Sequence, residues 1–99
     1  MRAMTLLLTI CVLLFSFTSH AELQKISEHV YAYVQPDNAS PSDGADANAG
    51  LVVGTDAALV IDTLTSAKAA QRFLADIRKV TDKPIKYAVN THFHFDHAW

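Results

Sequence analysis

The segment THFHFDH occupies residues 91–97 and contains four side chains that can bind a metal ion. These are the imidazoles of His92, His94 and His97 and the carboxylate of Asp96, and both groups suit zinc and other first-row metals. A single histidine would favour an ordinary surface role, but clustered His and Asp residues directly after a predicted strand have few structural uses. The segment therefore predicts a metal site.

The spacing of these four residues suggests how they are divided between ions. Where the chain leaves a strand, residues two apart point the same way, so His92, His94 and Asp96 can converge, and the phenylalanines between them would face the core. Four ligands so close in sequence are hard to wrap around one tetrahedral ion. We expect His92 and His94 at one metal and Asp96 and His97 at a neighbouring one, with further ligands from elsewhere.

A helix is predicted over residues 67–80, upstream of this segment. Its apolar side chains recur at helical spacing and form one stripe, at Ala70, Phe73, Leu74, Ile77 and Val80. Thr65 or Ser66 can cap the amino terminus, because a hydroxyl oxygen accepts a hydrogen bond from a free backbone N–H of the first turn.

Strands are predicted on both sides of this helix, at residues 57–62 and 85–90. The order strand, helix, strand makes these two strands parallel. Residues 49–54 form a hairpin with residues 57–62 around a tight turn. The second parallel strand delivers residues 91–97 to the carboxyl edge of the sheet, where open α/β sheets place their ligands.

The remaining residues before the hairpin predict two short strands and a long loop. The strands are expected at residues 23–26 and 30–34, with a turn between them. Residues 35–48 are rich in Pro, Asp, Ser, Asn and Ala, which predicts a loop.

Residues 1–21 have the order of a secretory signal peptide. Arg2 supplies a positive charge, residues 5–17 are almost wholly apolar, and Ser19 and Ala21 are small residues at the positions of a cleavage site. We predict cleavage after Ala21, a secreted or periplasmic location, and no stable membrane association afterwards. The alternative is an uncleaved anchor, but the apolar run is shorter than the roughly 20 residues that span a bilayer.

Composition excludes several classes of protein. The 99 residues carry a formal net charge of -2, so the chain lacks the excess of basic residues typical of a nucleic-acid-binding protein. The single cysteine excludes an internal disulfide framework and a cysteine-rich zinc module. A hydrophobic fraction of 51% is too high for a disordered chain. We therefore expect no nucleic-acid partner.

Residues 91–97 resemble the first metal motif, HxHxDH, of the metallo-β-lactamase-fold hydrolases. The stretches NAGLVVG at 48–54 and LVIDT at 59–63 resemble the amino-terminal hairpin of the same family, and the likeness covers about residues 23 to 99. The resemblance implies an α/β (α+β) fold, the αββα sandwich, with a dinuclear and usually zinc site between its two sheets.

The resemblance also implies a role for individual residues. His92 and His94 match ligands of the first metal, and Asp96 and His97 match ligands of the second. Asp96 additionally matches the catalytic residue that orients the attacking hydroxide. Asp62 matches an acid that braces the metal loop, which fits the need of ligand histidines for a partner at the other ring nitrogen. The alternative for Asp62 is a strand-end residue that caps a turn.

The family takes a third histidine for the first metal, a bridging aspartate and a last histidine from later sequence. We therefore expect residues 22–99 to be the amino-terminal part of the sandwich, incomplete and inactive when expressed alone. One apolar face of the predicted sheet would also be bare, and a mature chain of this size has a marginal core.

The resemblance implies a hydrolase that uses a metal-bound hydroxide on an ester, thioester or amide (β-lactam-type) bond of a small-molecule substrate. The order of residues 1–21 adds the expectation that this hydrolase is exported. The expected cofactor is Zn²⁺, two ions per complete domain, with iron or manganese as other options. The alternatives are an iron-dependent oxidoreductase on the same fold and an inactive truncated metal-binding fragment.

Overall fold

The computed structural model describes residues 20–36 and 47–98, which contain one mixed β-sheet. Its strands, in both chain and spatial order, are β1 (Glu22–Lys25), β2 (Val30–Val34), β3 (Ala49–Val53), β4 (Ala58–Ile61) and β5 (Ile85–Val89). The first four strands pair antiparallel, whereas β4 and β5 are parallel. The helix α1 (Ala67–Val80) makes the crossover between the parallel strands. The predicted hairpin and crossover are thereby confirmed.

The observed bounds follow the sequence closely. The helix spans the predicted residues, and no strand end differs from the predicted one by more than one residue. The predicted signal peptide lies outside the described residues except for His20 and Ala21, and residues 37–46 of the predicted loop lie outside them as well. No helix in the part of the chain that the structure describes is long and apolar enough to cross a membrane.

The core lies between α1 and one face of the sheet. Its buried apolar residues are Tyr33, Leu51, Ala58, Val60, Leu64, Ala69, Phe73 and Ile77. The rings of Tyr33 and Phe73 stack with their centroids 4.6 Å apart, which ties the helix to β2. Burial of apolar surface in this single layer is the main favourable contribution to the folding of the described residues.

The buried stripe of α1 is narrower than the predicted one. It consists of Ala69, Phe73 and Ile77, spaced four residues apart, whereas Leu74 and Val80 are exposed. A helix that packs on only one sheet buries the line of residues nearest that sheet, and side chains at the flanks of the stripe stay in solvent. The predicted apolar stripe is therefore present on the helix, but only part of it is buried.

The opposite face of the sheet is also apolar. The strand register aligns Val30, Val52, Leu59 and Tyr87 in one row across β2 to β5, and Ile61 pairs with Val89 in the next row. Tyr87 and Val89 are exposed in this structure. Within the described residues, this agrees with the expectation that one apolar face is left bare.

Candidate metal centre

The candidate site lies where β4 and β5 end side by side. Ile61 pairs with Val89, and the backbone N–H of Asp62 donates to the Val89 carbonyl over 2.8 Å. Asp62 therefore follows one strand directly beside the chain that leaves the other. The parallel pairing thus brings residues 91–97 to Asp62, as the predicted β-α-β unit requires.

Beyond β5 the chain does not continue as an extended strand. Residues 91–93 form bends, and Phe95–Ala98 form one short helix, α2. The backbone N–H of His97 donates to the His94 carbonyl over 3.0 Å, which closes the turn. The alternation expected from an extended strand therefore does not apply. Phe93 and Phe95 are 86% and 56% exposed, so the prediction that they face the core was wrong for this structure.

Three of the four predicted ligands come together. One ligand atom from each of His92, Asp96 and His97 lies within 4.8 Å of the others. His94 is outside this group, although its ring lies edge-on to the His92 ring with centroids 4.9 Å apart, and it stacks on Phe93. The observed grouping thus differs from the predicted division into His92 with His94 and Asp96 with His97. A ligand role for His94 stays a prediction.

Asp62 lies beneath this cluster and is only 4% exposed. Its Oδ1 accepts a hydrogen bond from the backbone N–H of Thr91 over 2.7 Å, and its Oδ2 lies 2.9 Å from Nδ1 of His97. The Thr91 hydroxyl lies 2.8 Å and 3.0 Å from the two carboxylate oxygens. Asp62 thus contacts both the turn after β5 and a histidine ring of the motif, and its role in bracing a metal site stays a prediction.

Hydrogen bonds keep the Asp62 carboxyl ionised although it is buried. Burial raises its pKa, but the backbone N–H of Thr91 and the side chains of His97 and Thr91 outweigh that effect and hold the pKa below its ordinary value. Because an ionised carboxylate can only accept, Nδ1 of His97 must donate the proton between them. In the neutral ring, Nε2 of His97 then carries a lone pair.

The other side of the His97 ring has a partner that fits a cation. Nε2 of His97 lies 3.3 Å from Oδ2 of Asp96. A neutral ring whose proton is on Nδ1 and an ionised carboxylate present two lone pairs to each other, an arrangement that needs a proton or a metal ion between the atoms. Imidazole nitrogen and carboxylate oxygen are ligands that suit zinc, so this donor set fits a divalent metal.

Backbone contacts hold the site against the end of β4. The N–H of Thr63 donates to the His97 carbonyl over 2.9 Å, which fastens α2 to the residues after β4. Asp62 and Leu64 both have positive φ angles, of 62° and 70°. Aspartate tolerates this left-handed region, whereas a buried leucine in it is strained by roughly 1–3 kcal/mol. The surrounding packing thus maintains a backbone shape that directs Asp62 at the metal motif.

Thr91, to which no role was assigned from the sequence, lies at the centre of these hydrogen bonds. Its hydroxyl contacts Asp62 and also lies 2.9 Å from Nδ1 of His92. The signal that could have revealed it is a hydroxyl residue directly before the first histidine of the motif, facing an acid at the end of the neighbouring parallel strand.

Comparison with known proteins agrees with this geometry. The sequence model of the metallo-beta-lactamase superfamily matches residues 42–99, which are more than half of the chain. The chain therefore belongs to that superfamily. The predicted resemblance is thereby confirmed. The superfamily is mostly hydrolytic and typically binds metal ions, which supports a metal-dependent hydrolase.

Two relatives illustrate the likeness. The fold is similar to the crystal structure of VMB-1, with a TM-score of 0.61 and 27% sequence identity, over 81% of this chain and 36% of that chain. The sequence is 49% identical over 39 residues to a linear primary-alkylsulfatase from Pseudomonas sp. (strain ATCC 19151). That match covers 39% of this chain and 7% of the sulfatase, so the chain spans only a small part of either relative.

Proposed function

We propose that this chain carries the metal-binding motif of an exported zinc-dependent hydrolase that cleaves an ester, thioester or amide bond. The observation that carries the proposal is the cluster of His92, Asp96 and His97, whose ligand atoms lie within 4.8 Å of one another above a buried carboxylate. Clustered ligands braced from below are typical of a site built for a metal ion.

In this proposal each residue of the motif has a separate task. His92 and His94 bind one metal, Asp96 and His97 bind a second, and Asp62 holds the ring of His97. Zinc held by these residues would supply Lewis-acid chemistry, namely polarisation of the bond to be cleaved and a lowered pKa for a water molecule. The Asp96 carboxylate would accept a hydrogen bond from that water and so orient it.

The relatives support particular substrates for a first test. The name of the Pseudomonas relative describes a sulfatase that acts on linear primary alkyl sulfates, which are esters. We therefore propose a sulfate ester, a carboxylic ester, a thioester and a β-lactam as the four substrates to compare. Comparing hydrolysis of the four substrates decides among them.

The decisive experiment uses the longest polypeptide that the gene encodes, purified without added metal. Elemental analysis should find zinc, and the four substrates should reveal hydrolysis that a chelator abolishes and added Zn²⁺ restores. His92→Gln and Asp96→Asn should remove the activity. Iron together with redox turnover would instead support an iron-dependent oxidoreductase and would overturn the hydrolase proposal.

The 99-residue chain provides a second test of the same proposal. We expect it to bind zinc without measurable turnover of any of the four substrates, because the described cluster offers only part of the ligands that a dinuclear hydrolase uses. Zinc-dependent hydrolysis by residues 22–99 alone would contradict this part of the proposal.

Export is proposed from residues 1–21 and has its own test. After expression in a Gram-negative host, the mature protein should be found in the periplasmic fraction with Glu22 as its first residue. Removal of residues 2–21 should leave the protein in the cytoplasm. An intact amino terminus in the membrane fraction would instead support the uncleaved anchor.

A further inference from the structure

We propose that Thr91 is a positioning residue that fixes the proton of the His92 ring on Nδ1 and so leaves Nε2 free to bind a metal. The inference rests on the proposed function in one respect, which is that His92 acts as a ligand. It adds a residue whose role neither the sequence motif nor the superfamily match assigns.

The Thr91 hydroxyl has a single proton, and this limits it to one donated hydrogen bond. Its Oγ1 lies 2.8 Å and 3.0 Å from the two oxygens of Asp62 and 2.9 Å from Nδ1 of His92. A hydroxyl has one hydrogen to donate and lone pairs with which to accept. Both oxygens of Asp62 lie within hydrogen-bond distance of the hydroxyl, and Oδ1 also accepts from the backbone N–H of Thr91, so the carboxylate is the acceptor and the hydroxyl donates to it. Its remaining contact must then be one in which it accepts, and Nδ1 of His92 must carry the proton.

The Thr91 hydroxyl is held in place for this task. The backbone N–H of Thr91 donates to Oδ1 of Asp62 over 2.7 Å. The main chain and the side chain of Thr91 are therefore both hydrogen-bonded to the same carboxylate. That carboxylate is buried and follows β4, whose pairing with β5 fixes the distance between the two strand ends. Thr91 therefore presents its lone pair to the His92 ring in a defined direction.

The same carboxylate controls a second ring directly. Nδ1 of His97 lies 2.9 Å from Oδ2 of Asp62, and it donates its proton there because a carboxylate oxygen accepts. The rings of His92 and His97 lie with their centroids 4.1 Å apart. Asp62 thus sets the proton position of His97 by itself and that of His92 through Thr91. Both Nε2 atoms are left with lone pairs at one cluster.

Nuclear magnetic resonance of the ring nitrogens tests this without any metal or substrate. In the metal-free chain at about pH 8, where histidine rings in general are neutral, long-range ¹H–¹⁵N spectra distinguish the two tautomers. We expect His92 with its proton on Nδ1 in the wild type and in Thr91→Ser, which keeps the hydroxyl. In the nearly isosteric Thr91→Val we expect a shift toward the Nε2–H form that free histidine favours in water. The signals that are missing from the spectrum of His92→Gln are those of the His92 ring.

Within the same spectra, His97 serves as an internal control, because its bond to Asp62 does not pass through the hydroxyl. Its tautomer should be the same in all three proteins. An Nε2–H form of His92 in the wild type, or an unchanged Nδ1–H form in a folded Thr91→Val, would overturn the proposal. Should Thr91→Val fail to fold, the wild-type tautomer and its retention in Thr91→Ser decide the question.

Zinc affinity gives a second readout, measured by competition with a chromophoric chelator. Loss of a partner that orients a ligand typically lowers metal affinity roughly 10- to 100-fold, and we expect a loss in this range for Thr91→Val with recovery in Thr91→Ser. Equal zinc affinities in all three proteins would contradict the positioning role. If the tautomer is confirmed but the longest polypeptide that the gene encodes hydrolyses none of the four substrates, the proposed function is rejected and this inference stays intact.

Discussion

Nδ1 of His97 lies 2.9 Å from Oδ2 of Asp62, although 35 positions separate the two residues in the chain. The contact joins the end of β4 to α2, and the carboxylate is buried while the opposite ring nitrogen of His97 faces Asp96. A buried carboxylate that accepts from one side of a ring fixes both the orientation of the ring and the position of its proton. The metal motif is therefore organised from beneath, by a residue outside the motif.

Replacing Asp62 with asparagine should weaken both the fold and the metal site. Asparagine keeps the size of the side chain and tolerates the positive φ of 62°, so Asp62→Asn removes mainly the charge. Because hydrogen bonds to charged groups contribute about 1.5–3 kcal/mol, we expect a loss of that order in the free energy of unfolding. Urea denaturation of the metal-free chain measures it, and chelator competition should show zinc affinity reduced roughly 10- to 100-fold.

Asp82→Asn is the matched control for this change. Asp82 is exposed and lies between α1 and β5, at the opposite end of the parallel strands from the metal motif. The same loss of charge there should leave zinc affinity unchanged and alter stability by less than about 0.5 kcal/mol. Equal behaviour of Asp62→Asn and Asp82→Asn would refute a special role for the buried carboxylate.

The ligand set can be tested one residue at a time. We expect His92→Gln, His94→Gln, Asp96→Asn and His97→Gln each to lower zinc affinity at least about tenfold, because each removes one donor atom and glutamine or asparagine amides bind zinc poorly. Chelator competition measures the affinity, and circular dichroism checks the fold. His29→Gln, an exposed histidine in the bend between β1 and β2, is the control and should bind zinc like the wild type.

His94 gives the most informative result of this series. In the metal-free geometry it is outside the group of ligand atoms within 4.8 Å, although its ring lies beside that of His92. A zinc affinity of His94→Gln equal to that of the wild type would show that His94 is no ligand. A tenfold loss would instead support a small movement of its ring on metal binding.

Much of the fold could be predicted from the sequence because local patterns and packing agree in this chain. The helix from Ala67 to Val80 has a periodic apolar stripe and a serine cap, and the two parallel strands are short segments rich in apolar residues. The position of the motif after β5 then follows from the handed crossover. These features depend on side-chain spacing, which a sequence displays directly.

The geometry of the motif itself could not be predicted in the same way. Alternation along a strand assumes extended backbone, but the turn at His94 and the helix α2 redirect every side chain after Thr91. The role proposed for Thr91 depends on two contacts of its hydroxyl, one with Asp62 and one with the neighbouring residue His92. The first depends on the register between β4 and β5, which no local pattern fixes.

The amino-terminal cap of α1 should contribute measurably to stability. Oγ of Ser66 accepts a hydrogen bond from the backbone N–H of Ala69 over 3.2 Å. Ser66→Ala leaves that N–H without its partner and should lower the free energy of unfolding by about 1 kcal/mol. Urea denaturation measures the effect, and Ser66→Asp should restore most of it because aspartate is also a good cap. Ser27→Ala, in an exposed bend, should change little, and an equally small change in Ser66→Ala would show that the cap contributes nothing.

Tyr33 should make stability depend on pH in the alkaline range. Its burial, together with the negative charge of Asp76 and a hydrogen bond to it, raises the pKa of the phenol to about 12. The unfolded chain ionises this tyrosine near pH 10.0, so the folded state then holds the proton more tightly. The stabilising contribution is fully present below that pH and is lost as the pH rises toward about 12.

Tyr33→Phe keeps the ring that stacks on Phe73 and removes only the hydroxyl, so it isolates this contribution. Unfolding measured by urea at neutral and alkaline pH should show the wild type losing stability above pH 10.0 faster than the variant does. At neutral pH the variant should be less stable by about 1 kcal/mol, the usual contribution of one hydrogen bond. Tyr87→Phe, in which the altered residue is exposed, should follow the wild type throughout. Parallel curves for the wild type and Tyr33→Phe would show that the Tyr33 proton is not held by the fold.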